Sequence, residues 1–179
     1  MKKYPTLEKL FAARGFEDFK WVAPRAVVVS HWVRMKCMYG CWLYGRCAAC
    51  PPNVPSVPEC RAFFDEYAAA AIFHFEKRVK RPQDRHAWTR RLTASLLEVE
   101  REVFLGGYHK AFLLPMDSCH LCRTCPPGRA ECVNPKLARP TPEAMAVDVF
   151  ATARGCGYPI EVVRDYADRM NRYAILLIE

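Results

Sequence analysis

The chain has no long hydrophobic run. Its longest, Tyr67 to Phe75, is interrupted by His74 and falls far short of the roughly 20 apolar residues that cross a bilayer. Met1 to Asp18 brings Lys2 and Lys3 without an apolar stretch behind them, so no secretory signal is expected and the reading is a soluble, cytoplasmic protein. Nucleotide and hydrolase signatures are missing as well. No G-x-G-x-x-G, G-x-x-x-x-G-K-[ST] or H-E-x-x-H occurs, which argues against nicotinamide, ATP and metallopeptidase chemistry; flavin has no equally short signature and stays open. The segment Lys77–Arg91 holds seven Lys and Arg, but Trp88 is its one Phe, Tyr or Trp. Without a stacking platform, nucleic acid is not an expected partner, and a solvated face is the simpler reading.

What the chain does have is cysteine, ten in 179 residues. A chain of this length buries a full core without disulfides, so a single domain over 1–179 needs no staples. In a reducing compartment, clustered thiols point to metal or redox chemistry. Cys119, Cys122 and Cys125 follow each other at two-residue separations, Cys132 comes next, and Pro135 closes the loop. This triple step resembles the loops that wrap polynuclear iron–sulfur cores, although the last spacing is longer than theirs. Zinc sites more often join two separate pairs and are the alternative. The expectation is that Cys119, Cys122, Cys125 and Cys132 hold one cluster without help from elsewhere, because local loops close cheaply.

A second thiol region contains Cys37, Cys41, Cys47 and Cys50, then Pro51-Pro52, with Cys60 further on. Cys37, Cys41 and Cys50 form the core of this ligand set, and Cys47 and Cys60 compete for the fourth place. Spacing favours Cys47, which forms a C-x-x-C pair with Cys50. His31 reads as a core or hydrogen-bonded residue, and Cys156, between Gly155 and Gly157, as an unligated thiol. The formal charge of +8 counts thiols as neutral; two clusters at about −2 each bring it to about +4. The remaining basicity would favour an acidic redox partner protein.

The expected fold is α/β: a mixed sheet with flanking helices and two cysteine-rich metal-binding loops, about 36–60 and 117–135. Apolar, β-branched or aromatic runs predict strands at Ala26–Val33, Ala69–Phe75, Lys110–Pro115, Ile160–Val163 and Tyr173–Ile178. Helices are predicted at Leu7–Ala13, at Pro58–Tyr67 and, from the stripe Trp88, Leu92, Leu96, Val99 and Val103, over Asp84–Leu105. A further helix is expected from Thr141 as N-cap through Met145, Val149 and Ala153. Glu98, Glu100 and Glu102 read as a solvated face. Each metal loop follows a predicted strand, so both should leave the same side of the sheet.

Taken together, Cys37-x3-Cys41-x2-Tyr44-Gly45, Cys50-Pro51-Pro52, Cys119-x2-Cys122-x2-Cys125, Cys132-x2-Pro135 and Ala138-Arg139-Pro140-x2-Glu143-Ala144-x3-Asp148-Val149 resemble the prokaryotic family DUF2284, described as predicted metal-binding. The resemblance runs from Trp32 to Glu179 and implies a cysteine-rich metalloprotein, iron–sulfur in type, without implying a reaction. In that family's pattern the position of Cys47 is seldom cysteine, whereas a cysteine like Cys60 follows the Cys-Pro-Pro. The resemblance therefore selects Cys60 where spacing selects Cys47, and Cys60 is the expected fourth ligand, with Cys47 as the alternative. The functional expectation is two [4Fe-4S] clusters in an electron-transfer or redox accessory role. An enzyme with one cluster open to substrate, and a zinc-binding interaction protein, are the alternatives.

Overall fold

The computed structural model describes residues 4–165 and 167–179. A four-stranded antiparallel sheet lies between two helical layers. Its strands are β1 (Phe19–Val22), β2 (Ala70–Lys77), β3 (Phe112–Leu114) and β4 (Met170–Leu177), in the spatial order β1-β2-β4-β3. The central pair β2 and β4 runs in register from Ala70 opposite Leu177 to Lys77 opposite Met170. Among the described residues every strand pairing is antiparallel, which corrects the expected mixed sheet. Central strands covered on both faces are apolar throughout, so their sequences do not encode direction.

Side-chain alternation divides the core in two. Ala71, Phe73, Leu113, Ala174 and Leu176 face one layer, formed by α1 (Pro5–Ala13) and α4 (Pro82–Leu105) through Leu7, Phe11, Leu96, Val99 and Val103. Ala70, Ile72, Leu114, Ile175 and Leu177 face the other, where α3 (Val57–Asp65) and α5 (Val149–Gly155) bring Cys60, Phe64 and Ala153. Each large apolar side chain fully buried here stabilises the fold by about 1.5–3 kcal/mol relative to exposure. Phe11, Phe64, Phe73, Ile72 and Leu176 are among the largest that are fully buried.

Helices α1, α3 and α4 lie where apolar periodicity and turn chemistry put them. Pro82 sits in the first turn of α4 and Gly106 follows its last residue. At the start of α3, the Glu59 carboxylate accepts hydrogen bonds from the Ser56 backbone N–H (2.8 Å) and hydroxyl (2.5 Å), a capping box.

Four expectations fail locally. Ala26–Val33 is not a strand: Val29 makes one isolated bridge to Val147, and the chain enters α2 (His31–Gly40) directly after Ser30. Val27 is buried as a strand residue would be, but the run is too short to extend past the helix start. The edge strand is Phe19–Val22 instead, paired with Ala70–Phe73. Ile160–Val163 forms no strand: Ile160 is buried, while Val162 is 74% exposed. The helix expected from Thr141 is interrupted at Ala146, whose φ of 60° leaves the helical region. Its first turn is capped by Thr141 Oγ1, which accepts from Ala144 N at 3.2 Å, and α5 starts anew with Asp148 Oδ1 accepting from Ala151 N at 2.9 Å. Lastly, Glu100 does not lie on a solvated face but is buried, 5% exposed.

Among the described residues no helix is long and apolar enough to cross a membrane.

Candidate metal centre

Helix α2 carries Cys37 in its last turn, and Cys41 caps it, its N–H donating to Cys37 O at 3.3 Å. The first thiol region thus leaves a helix end, not the strand end expected. Beyond it the backbone folds into consecutive tight turns. Tyr44 N donates to Cys41 O (3.1 Å), Gly45 N to Pro51 O (2.9 Å), Cys50 N to Cys47 O (3.0 Å) and Asn53 N to Cys50 O (2.9 Å). Gly45 has a φ of 65°, a conformation that costs glycine little. These turns place Cys47 and Cys50 on opposite sides of one compact knot.

The second region leaves β3. Asp117 and His120 adopt left-handed conformations, with φ of 63° and 45°. Both are held by other elements. Asp117 Oδ2 accepts from Thr89 Oγ1 at 2.7 Å, and Arg172 and Arg85 approach the same carboxylate at 3.2 and 3.6 Å. Arg90 Nε donates to His120 O at 3.1 Å, and Ser118 Oγ lies 2.6 Å from His120 Nε2. Burial and the neighbouring His86 depress the His120 pKa, which favours the neutral ring. At the far end, Arg139 Nε donates to buried Glu100 Oε1 at 2.9 Å, and the other proton accepted by that oxygen comes from Leu113 N at 2.8 Å. Glu100 therefore ties the end of the loop to the strand that precedes it.

The two regions meet. Cys125 Sγ lies 3.7 Å from Cys47 Sγ and accepts a hydrogen bond from Ala48 N at 3.3 Å. Asn53 Nδ2 donates both to Cys47 O (3.2 Å) and, across the junction, to Pro127 O (2.5 Å). A cavity of about 270 Å³ at this junction is lined by Cys47, Cys119, Cys122, Cys125 and Cys132, together with Trp42, Leu121 and Ala138. Asn134 Nδ2 donates to Cys122 Sγ at 3.0 Å. On the other side of the knot, Cys37, Cys41 and Cys50 line a smaller cavity of about 70 Å³ with Asp117, Thr141 and Glu143. Cys37 and Cys41 also border a third, apolar cavity of about 260 Å³, walled by Trp32, Phe150 and Tyr173 and reached by Glu143.

The structure thus brings together Cys119, Cys122, Cys125 and Cys132 with Cys47, and separately Cys37, Cys41 and Cys50. Cys60 joins neither group. It faces the sheet from α3, fully buried, with Sγ 3.4 Å from Pro55 O and 4.0 Å from both Met145 Sδ and Arg34 Nη2. Cys156 is half-buried beside Lys20, at the edge of the same apolar cluster. His31 is exposed at the start of α2.

Hydrogen bonding from Cys50, and then from backbone N–H groups and Cys125, holds the Cys47 thiol well below its usual pKa, while the same contact and burial push Cys50 up. Burial raises the Cys37, Cys60 and Cys119 thiols and lifts Cys125 to about 11. It also raises the Glu143 carboxyl. That side chain lines both cavities and is bonded to Thr141.

Among the described residues, no three His, Cys, Asp or Glu side chains converge as a group able to hold a metal ion. Four thiolates around one zinc lie about 3.8 Å apart; Cys47 and Cys125 stand at such a separation, 3.7 Å, while Cys119, Cys122 and Cys132 line the cavity walls. The donors around these cavities are sulfur, partly buried and supplied with N–H donors from Ala48 and Asn134, a set that fits a sulfur-ligated metal group.

Sequence reasoning missed Asp117, Asn53 and the Glu100–Arg139 pair. None belongs to a metal-ligand motif, and their partners lie on other elements. Glu143 was visible in the ordered motif Arg139-Pro140-x2-Glu143, though without a role. Neither the curated proteins nor the solved structures contain a match to this chain. The family model described as predicted metal-binding protein matches residues 20–178, and the chain belongs to that family, DUF2284.

Proposed function

We propose that the chain is an iron–sulfur protein with two [4Fe-4S] clusters, acting in electron transfer. The observation that carries this reading is the arrangement of eight thiols around two cavities, with Cys47 on the wall of one and Cys50, in the same turn, on the wall of the other. Cys119, Cys122, Cys125 and Cys132 are proposed to hold one cluster, with Cys47 at its wall. Cys37, Cys41 and Cys50 are proposed to hold the other. Such clusters, when bound, take up and release single electrons.

The chain's own residues set the conditions for that exchange. Leu43, Leu121 and Ala138 surround the larger thiol group with apolar surface and limit its contact with water. The N–H groups of Ala48 and Asn134 donate to sulfur, which stabilises added negative charge and raises a reduction potential. The turn closed by Cys50 N donating to Cys47 O carries one thiol of each group and gives a short covalent route from one to the other. Cationic Arg123 and Arg129 are exposed on the second loop and suit docking of an acidic redox partner. Because the protein keeps a net charge of about +4 with both clusters bound, such docking should weaken as salt rises.

Anaerobic purification followed by iron and sulfide analysis tests the reading. The expected result is a brown protein with about eight irons and eight sulfides per chain and broad absorption near about 400 nm. Replacing Cys132 by Ser should remove about half the iron. A colourless protein carrying zinc would overturn it, because zinc thiolates lack visible charge-transfer bands.

A further inference from the structure

The first thiol group has three members where a closed cluster needs four. Cys47 turns its sulfur to the other cavity, 3.7 Å from Cys125, and Cys60 is fully buried against Met145 and Pro55 in the core. The two acids that reach the smaller cavity differ. Asp117 is engaged by Thr89, Arg85 and Arg172, whereas Glu143, bonded to Thr141, faces the cavity space. Cys37 and Cys41 also border the apolar cavity of about 260 Å³, so the same two sulfurs line both spaces. A pocket with apolar walls and a few polar groups at one end is the usual form of a small-molecule site.

Resting on the iron–sulfur reading above, we infer that Cys37, Cys41 and Cys50 are the complete protein ligand set of the first cluster, and that the cavity walled by Trp32, Phe150 and Tyr173 binds a small organic anion whose donor atom completes the coordination. The walls supply the apolar contact, since Tyr173 is buried and Phe150 partly so. Lys36, exposed on α2 and lining the same cavity, supplies the cation that draws an anion in. The ligand class is therefore a thiolate or carboxylate on a compact aromatic or aliphatic body.

The test uses the full chain, reconstituted anaerobically and reduced, with phenylmethanethiol and methanethiol as probes. Both should shift the electron paramagnetic resonance of one of two clusters, and phenylmethanethiol should half-saturate at a concentration lower by roughly tenfold, because its ring leaves water for the cavity. Trp32→Ala, a change at a half-exposed position, should reduce that preference and leave the iron content unchanged. Cys60→Ala should also keep the full iron content. No shift with either probe, equal affinity for the two, or a shift appearing only in Glu143→Gln (which would make Glu143 the fourth ligand) would overturn the inference. Absence of iron from the wild-type chain would instead overturn the iron–sulfur reading.

Discussion

The two thiol regions face each other across one junction, yet they are built differently. The first is backbone-made: α2 delivers Cys37 and Cys41, and a ladder of turn hydrogen bonds sets Cys47 and Cys50. The second has no helix or strand between Leu114 and Val149 and is held by side chains from elsewhere, chiefly Glu100, Thr89, Arg90 and Asn53. Local hydrogen bonds hold a loop regardless of its ligand, while a loop pinned at a few distant points leaves most of its length to be ordered by what it binds. The comparison teaches that metal should matter more to the second region than to the first.

Removing the metal is the largest way to break this contrast. Limited trypsin digestion after chelation should cut at exposed Arg123 or Arg129 roughly tenfold faster than in the loaded protein, with Arg46 changing much less. First cleavage at Arg46 would reverse the comparison.

Glu100→Ala comes next. It leaves Arg139, which is mostly buried (side chain 20% exposed), and the Leu113 N–H without their acceptor, a change expected to cost about 3–5 kcal/mol. Denaturant unfolding measures the loss. Iron analysis should show it accompanied by depletion of the second region; an equal loss from both regions would mean that Glu100 serves the whole fold.

Cys60→Ala should be smaller, about 1–2 kcal/mol for a buried thiol replaced by a methyl group, again read from denaturant unfolding. Loss of iron from the first region in this variant would make Cys60 a ligand and sharpen the comparison in the opposite sense.

The smallest effect concerns α3. Hydrogen bonds from the Ser56 hydroxyl and N–H hold the Glu59 carboxyl below its ordinary pKa. A depressed carboxylate pKa contributes stability that is present above the unfolded value, near about 4.5, and is lost as pH falls through the folded value. Glu59→Gln should therefore flatten the stability of the protein against pH below about 4.5, measured by thermal unfolding at a series of pH values.

How much of this was legible in the sequence follows from range. The stripe from Trp88 to Val103 is local, and it located α4 to within two residues of its start, Pro82. The thiol loops were legible as motifs for the same reason. Strand direction was not, because Ala70–Phe73 and Ala174–Leu177 are buried on both faces. Ala26–Val33 misled because β-branched residues favour a half-buried extended chain in general, and here three valines make only one bridge before α2 begins. Where Cys47 and Cys60 point depends on turns at Gly45 and Pro51 and on the packing of α3 against the sheet, neither of which spacing encodes. The pairing of Glu100 with Arg139 spans 39 residues, beyond any local pattern.

Asn53, with one amide held between Cys47 O and Pro127 O, gives the two regions a shared history. It ties the turn that carries both Cys47 and Cys50 to the loop that follows β3. The entropy spent in ordering that turn is spent once. The two loops are therefore coupled through one side chain: order imposed on either is order gained by the other.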